Sequence, residues 1–289
     1  NVVFGNTSIK AGVRVERLEL PASLLAHYRG PRFGEQGWRE LLNVPDRPLL
    51  ATALKPMGLS AQALADIAYQ FALGGMDIIK DDHGLMDQEF SPYQERLERC
   101  AEAVAKANQE TGGHSVYMPQ VTAPAHEVID RARSAKQAGA GALMVCPGLT
   151  GWDTMRQIAD DDSIGLPIMS HPAFTGSFVT SPDNGISHYA LYGQMQRLAG
   201  ADASIYPNFG GRFSFSKDEC RSIVAGCQAD MGHIKPILAA PGGGMNMESI
   251  PEMREVYGQR VIYLVGGGMH RHSDNLVENV RYFRSLIEG

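Results

Sequence analysis

Gly74-Gly75-Met76-Asp77-Ile78-Ile79-Lys80-Asp81-Asp82-His83 is the stretch that decides the fold. It reads as a buried strand that ends in a lysine, two aspartates and a histidine. A lysine beside carboxylates at a strand end is costly unless it pairs, binds a metal or reacts. Upstream, the run 49–54 reads as another strand. It too ends in a lysine, within Lys55-Pro56-Met57-Gly58-Leu59-Ser60. Two strand-terminal lysines and a metal-like Asp/His cluster make an enzyme the first expectation. The competing reading is an exposed turn with ordinary ion pairs.

Working outward, eight short apolar runs recur: 49–54, 76–80, 115–118, 141–145, 167–170, 203–206, 236–240 and 261–265. Each is followed by Gly, Pro or polar turn residues. Helical spacing fills several of the gaps, at 61–73, 93–110, 127–138, 186–198 and 248–257. In the first of these, Leu64, Ile67, Ala68 and Phe71 share one face. Apolar runs alternating with helices predict a parallel sheet. Eight β/α units over about 240 residues match an α/β fold of the (β/α)8 TIM-barrel type. A doubly wound open sheet is the runner-up. The barrel is preferred because chemistry-bearing residues follow nearly every strand, and in a barrel those ends converge on one pocket. Residues 1–48 do not fit the repeat and read as a lead-in segment packed on a barrel domain at 49–289.

The chain has 289 residues, 44% hydrophobic, with 32 glycines, which suits a turn-rich α/β protein. Its net charge of −6 argues against a nucleic-acid partner. No long uncharged apolar run predicts a membrane span. The start, Asn1-Val2-Val3-Phe4-Gly5-Asn6, lacks the features of a signal peptide. It also lacks an initiator methionine, so it reads as a fragment or a processed form. Cys100, Cys146, Cys220 and Cys227 form no CxxC pair, which predicts reduced thiols and a cytoplasmic location. Cys146 ends an apolar run, and reads as a small buried hydrophobe in preference to a pocket residue.

The strand ends carry the chemistry. Lys55 precedes a proline that fixes the backbone. In a barrel mouth it serves as a base or as a fixed charge for an enediolate; otherwise it snorkels to the rim. Lys80, Asp82 and His83 offer a metal set, in which a carbamylated Lys80 would supply an oxygen ligand. His171, at the end of the fifth run, reads as structural, as an acid/base group or as a phosphate contact. Arg212 follows Gly210-Gly211 and reads as a charge on a mobile loop, or as a solvated surface arginine. The seventh and eighth runs end in Pro241-Gly242-Gly243-Gly244 and Gly266-Gly267-Gly268. Paired glycine turns at those strands are the usual place for a barrel phosphate site.

Together these motifs resemble the RuBisCO large-chain superfamily. The resemblance is carried by Lys55-Pro56-Met57-Gly58-Leu59-Ser60, by Gly74 to Asp82, and by Cys100-Ala101-Glu102-Ala103. Gly30-Pro31-Arg32-Phe33-Gly34 looks like the family's pre-barrel turn, and the similarity extends over essentially the whole chain. It implies that Lys55 moves protons during enolisation. It implies that Lys80 is the carbamylated metal ligand, with Asp82 as the second. His171 would contact phosphate or substrate, and Gly243, Gly244, Gly266 and Gly267 would line a phosphate site. The implied metal is Mg²⁺, the substrate a phosphorylated ketose, and the working unit a homodimer or higher homo-oligomer. The family's N-terminal ferredoxin-like domain is expected to be largely absent from this chain.

The departures are as informative. His83 stands where the family has a glutamate ligand, which favours Mn²⁺ or another transition metal. The family's second lysine after Lys55-Pro56 is missing, with Met57 in that turn. Pro172 follows His171 where carboxylases place an arginine for a second phosphate. Arg212 replaces a loop lysine that steadies the carboxylation transition state. These point to a RuBisCO-like protein of the non-carboxylating branch. The expected function is metal-assisted enolisation of a small phosphorylated keto-sugar or keto-acid. It would lead to tautomerisation, isomerisation or decarboxylation without CO2 fixation. The resemblance includes enolases of methylthio-sugar phosphates. The alternatives are a metal-free Schiff-base aldolase using Lys80 or Lys55, and a non-catalytic binding or assembly barrel.

Overall fold

The computed structural model describes residues 1–288 with the exception of 212 and 214. Eight strands form two four-stranded parallel sheets. They are β1 (Leu49–Ala53), β2 (Ile78–Lys80), β3 (Val116–Met118), β4 (Leu143–Val145), β5 (Ile168–Ser170), β6 (Ala203–Pro207), β7 (Leu238–Gly242) and β8 (Ile262–Leu264). One sheet has the order β8-β1-β2-β3, the other β4-β5-β6-β7. A parallel bridge between Gln120 and Met144 joins them at one seam, and one between Ala239 and Val261 at the other. The protein is therefore α/β with parallel strands in chain order. All eight expected runs hold strands, most of them trimmed by one or two residues.

Local chemistry explains how the decisive strand is set. The helix Ala61–Gly74 starts at Ser60, whose side chain accepts from the Ala63 amide at 3.3 Å. It stops at Gly75, which has φ +87° and so needs glycine. Gly74 packs flush on the C-terminal helix Leu276–Glu288: a Cβ there would come within 2.6 Å of Val280. The chain then enters β2 directly, and Asp77 anchors its start. Asp77 takes two bonds from Arg47, at 2.6 and 2.8 Å, and one from the Leu50 amide.

Side chains of a strand alternate between faces. One face of the strands supplies a core of Leu49, Ala51, Ile78, Met118, Met144, Met169, Ile205 and Leu238 among others, with Trp38, Leu42 and Val44 joining it from the segment before β1. The other face supplies Leu50, Ile79, Leu143, Ile168 and Tyr206, packed against the helices. Residues 1–48 are tied down by specific contacts. Arg14–Val15 pairs in parallel with Gly185–Ile186. Asp202 accepts from the Phe33 and Gly34 amides, each at 2.7 Å. Gln194 clamps both backbone groups of Leu18. The expected helix at 186–198 is a π-helix at Tyr189–Met195 with one α-turn, Gln196–Leu198, after it. Its Gly193 meets the backbone of Gly226 so closely that a Cβ would lie 2.5 Å away. The expected helices at 93–110, 127–138 and 248–257 stand at Tyr93–Thr111, Val128–Gln137 and Ile250–Tyr257, and others lie at Trp152–Asp160, Lys217–Gln228 and Leu276–Glu288.

Candidate active site

Alternation past the end of β2 assigns Lys80, Asp81 and Asp82 to different tasks. Ile78 faces the inner core and Ile79 the helices. Lys80 therefore points inward, Asp81 outward and Asp82 inward. Asp81 meets Arg96 of the helix Tyr93–Thr111 at 3.1 Å, the Tyr117 hydroxyl at 2.8 Å and the Gln120 amide at 3.1 Å. Asp81 and Arg96 are both fully buried, so this is a satisfied structural ion pair.

The inward pair faces a cavity of about 840 Å³. Lys80 is only 3% exposed, and its Nζ donates to the Asp81 carbonyl at 2.6 Å. Burial lowers its pKa to about 8, against the opposing pull of Asp82 and Asp81. The amine thus stays mostly protonated at neutral pH, but with a far larger neutral fraction than an ordinary lysine. Burial alone would raise the Asp82 carboxyl, but the Lys55 hydrogen bond, the Gly84 amide and the Lys80 charge outweigh it and hold its pKa at about 2. Lys55 follows β1 and forms an ion pair with Asp82. His83 is half-exposed, with Nδ1 3.3 Å from Asp82 Oδ1. Its ring stacks on His171, centroids 4.7 Å apart and nearly parallel.

His171 follows β5. Burial and the Lys80 charge push its pKa well below the usual imidazole range, so the ring is neutral. Its Nδ1 accepts from the Ala173 amide at 3.1 Å, which leaves Nε2–H as the ring's donor. Glycine backbone lines a further part of the wall: Gly242 at the end of β7 with Gly243 and Gly244 beyond it, and Gly266, Gly267 and Gly268 after β8. Gly243 and Gly244 have φ of +84° and +79°. A Cβ on Gly268 would lie 2.8 Å from the Met245 carbonyl, whereas one on Gly266 would meet nothing closer than Lys55 Cε at 3.5 Å.

The metal set can be tested against this geometry. Among the described residues no group of three His, Cys, Asp or Glu side chains is placed to hold a metal. Asp82 and His83 supply two donors, and an ammonium at Lys80 supplies none. The set fits a divalent cation only if Lys80 gains an anionic oxygen donor, which the minor neutral fraction of the buried amine is able to do by reacting with CO2.

Residues 35–211 match the family described as ribulose bisphosphate carboxylase large chain, catalytic domain. The chain belongs to this family. Among its relatives is the 5-methylthioribulose-1-phosphate isomerase of Rhodospirillum rubrum, 35% identical over 290 residues, which span all of this chain and 76% of that one. The 2,3-diketo-5-methylthiopentyl-1-phosphate enolase of Bacillus velezensis is 34% identical over 99% of this chain and 71% of its own length. A rubisco-like protein from Alicyclobacillus acidocaldarius has a solved structure that superimposes with a TM-score of 0.91. It is 32% identical, over 99% of this chain and 72% of that one.

Lys55, Lys80, Asp82, His83, His171, Gly243, Gly244, Gly266 and Gly267 all line the one cavity. Arg212 lies outside the described residues. Cys146 is fully buried and is not in the cavity wall; it takes a bond from Gln120 at 3.1 Å. Sequence reasoning missed Arg271, Tyr192, Phe213 and Phe215, which also line the cavity. Arg271 follows the triple glycine of β8 by only three positions, and that spacing was the available signal. Tyr192 sits inside an apolar run, where nothing local separates a cavity residue from a core one.

Proposed function

We propose that this chain is a RuBisCO-like enzyme that enolises a small keto-sugar or keto-acid monophosphate and does not fix CO2. The convergence of Lys55, Lys80, Asp82 and His171 on one cavity that two glycine turns also line carries the reading. The parallel bridges at both seams support a closed (β/α)8 barrel at residues 49–289, with 1–48 as a lead-in packed on it. The glycine turns and Arg271 form the phosphate end. The β5 side offers Pro172, Ala173, Tyr192 and Phe215, which suit an uncharged apolar tail in place of a second phosphate. The names of the two relatives, an isomerase and an enolase of methylthio-sugar phosphates, fit such a tail.

Lys80 as a carbamate, Asp82 and His83 would hold a divalent cation. Mg²⁺ is the choice by family, and Mn²⁺ or another transition metal the choice by the imidazole. The cation would supply positive charge for the oxygens of the enediolate. Lys55 is paired with Asp82 as an ammonium, so it would act as the base only after giving up that proton, as when Asp82 turns to the cation. The free amine, or the Lys80 carbamate, would then take the proton from the carbon beside the carbonyl. The C–H electrons become the new C=C bond, and the carbonyl π electrons move to oxygen. Neutral His171 donates its Nε2–H to a substrate oxygen. For the isomer, the former carbonyl carbon takes a proton and its oxygen becomes the hydroxyl, while the hydroxyl on the deprotonated carbon loses its proton and becomes the new carbonyl. The working unit is read as a homo-oligomer in the cytoplasm; no helix of the described residues is long and apolar enough to cross a membrane.

The test is solvent exchange. The protein is incubated with bicarbonate, Mg²⁺ or Mn²⁺, and 5-methylthioribulose 1-phosphate or its diketo relative in D2O. Deuterium should enter beside the carbonyl, and Lys55→Ala should slow entry by about 10²-fold or more. Ribulose bisphosphate should yield no carboxylation product. Absence of exchange with every ketose phosphate would refute enolisation. One observation favours a second reading: a buried lysine with a pKa of about 8 also suits Schiff-base chemistry. Borohydride trapping of a substrate adduct on Lys80 or Lys55 would replace the metal reading with that one.

A further inference from the structure

The turn that carries His171 is held from below by a side-chain clamp. The Thr175 amide donates to the Pro172 carbonyl at 3.1 Å, closing a four-residue turn. Its third residue, Phe174, has φ +66°. That sign is what a type II turn requires at this position, and glycine normally supplies it. A phenylalanine there is strained, and its ring is 71% exposed, so its own packing does little to hold the backbone.

The missing support comes from Thr175 and Tyr192. Thr175 Oγ1 donates to the same Pro172 carbonyl at 2.6 Å. A threonine hydroxyl has one proton, so in its 3.0 Å contact with the Tyr192 hydroxyl it accepts and the tyrosine donates. Thr175 is fully buried and Tyr192 is 2% exposed, which shields both bonds from water. Tyr192 sits at the middle of the π-helix Tyr189–Met195, a rare form that tends to occur at functional sites. Inside the same turn the Ala173 amide donates to His171 Nδ1.

We infer that Tyr192 and Thr175 are positioning residues: they hold the strained 172–175 turn so that the Ala173 amide fixes His171 in its Nε2–H tautomer. The clamp runs from the π-helix through Tyr192, Thr175 and Pro172 to the turn, and from the turn to the imidazole. Its bearing on catalysis rests on the cavity being the substrate site. The tautomer itself does not, so the two readings fail separately.

Long-range ¹H–¹⁵N NMR of the intact chain at neutral pH reads the His171 tautomer ratio, with His171→Gln to assign the signals. Tyr192→Phe should lower the Nε2–H to Nδ1–H ratio about fivefold, the equivalent of one hydrogen bond of about 1 kcal/mol. Thr175→Val should do the same, and it stands in for Tyr192→Phe if that variant does not fold. Thr175→Ser keeps the hydroxyl and should keep the ratio. Adding Phe174→Gly to Tyr192→Phe should restore it, since glycine takes a positive φ unaided. An unchanged ratio in the folded Tyr192→Phe or Thr175→Val protein would overturn the inference. So would a change of equal size at the other histidines, which marks general loosening.

Discussion

Lys80→Met should make the protein more stable at neutral pH while abolishing its activity. The folded-state pKa of Lys80 is about 8, against an ordinary value of 10.5. A gap of about 2.5 units corresponds to about 3 kcal/mol. The sign follows from protonation. Below pH 8 the lysine is charged in both states, and the folded state bears the whole cost of burying that charge. Between pH 8 and 10.5 the folded protein releases its proton first, so its relative stability rises and the cost fades. Methionine removes the charge at similar volume. It also removes the bond to the Asp81 carbonyl, a loss of about 1 kcal/mol. Asp82 keeps its ion pair with Lys55. The expected net gain is about 2 kcal/mol at pH 7, shrinking to nearly nothing by about pH 9.5. For a chain of this length the gain at neutral pH is about 3 °C in Tm. Urea unfolding in CO2-free, metal-free buffer at the two pH values is the assay. Bicarbonate with Mg²⁺ should then stabilise the parent protein and leave Lys80→Met unmoved. A variant that is destabilised at pH 7, or a gain that does not change with pH, would refute the argument that burial sets the Lys80 pKa.

Other outcomes follow from the same geometry. Burial raises the Asp202 carboxyl to about 6, against the pull of the Gly34, Ile168 and Phe33 amides. A raised folded pKa stabilises fully below the unfolded value near 4, and that contribution is lost as pH rises through 6. Asp202→Asn should therefore flatten the stability profile between those values by about 3 kcal/mol, read by urea midpoints. Gly268→Ala should destabilise by about 1–3 kcal/mol, because its Cβ meets the Met245 carbonyl and the Asn246 backbone. Gly266→Ala meets no close atom but takes φ −88°, ψ −101°, outside the regions alanine favours, so it should cost about 1–2 kcal/mol in urea unfolding and raise KM for a phosphorylated substrate; normal KM would remove Gly266 from the phosphate site. Arg96→Ala should cost about 3–5 kcal/mol in thermal or urea unfolding by stranding the buried Asp81, and Asp81→Asn in the same chain should recover part of it.

How far the site was legible depended on the length scale of each signal. The strands were legible because each run is apolar on both faces and ends in turn residues. The glycine turns were legible because positive φ leaves a mark in composition: Gly75, Gly243 and Gly244 all hold it. Phe174 breaks that rule, taking a glycine's backbone angle without being glycine, and no local pattern announces it. The inward set Lys80, Asp82 and His171 was legible because chemistry at strand ends is a local property once parallel strands are expected. The partners were not. Asp81 and Asp82 are adjacent and chemically identical, and the partners that make Asp81 the structural one, Arg96, Tyr117 and Gln120, lie 15 to 39 positions away. The π-helix is a further case. Leu191, Tyr192 and Met195 have spacing that suits an ordinary helix, and the close approach of Gly193 to Gly226 is invisible before the two segments meet.

These misses share a physical cause that bears on function. Side chains that do chemistry must be exposed to the cavity, and in parallel strands that requirement is written into every second residue. Side chains that hold the chemistry in place are satisfied by bonds to segments distant in sequence, such as Tyr192 to Thr175 and Arg96 to Asp81. Strain at Phe174, a charge buried at Lys80 and a neutral imidazole at His171 each raise the energy of the folded chain locally, and each lies within or beside the cavity. A protein folding for stability alone would place glycine at 174 and an apolar residue at 80. That Lys80 in the cavity and Phe174 beside it both depart from the stable choice favours an enzyme over an assembly role, because an assembly surface gains nothing from a destabilised interior lysine.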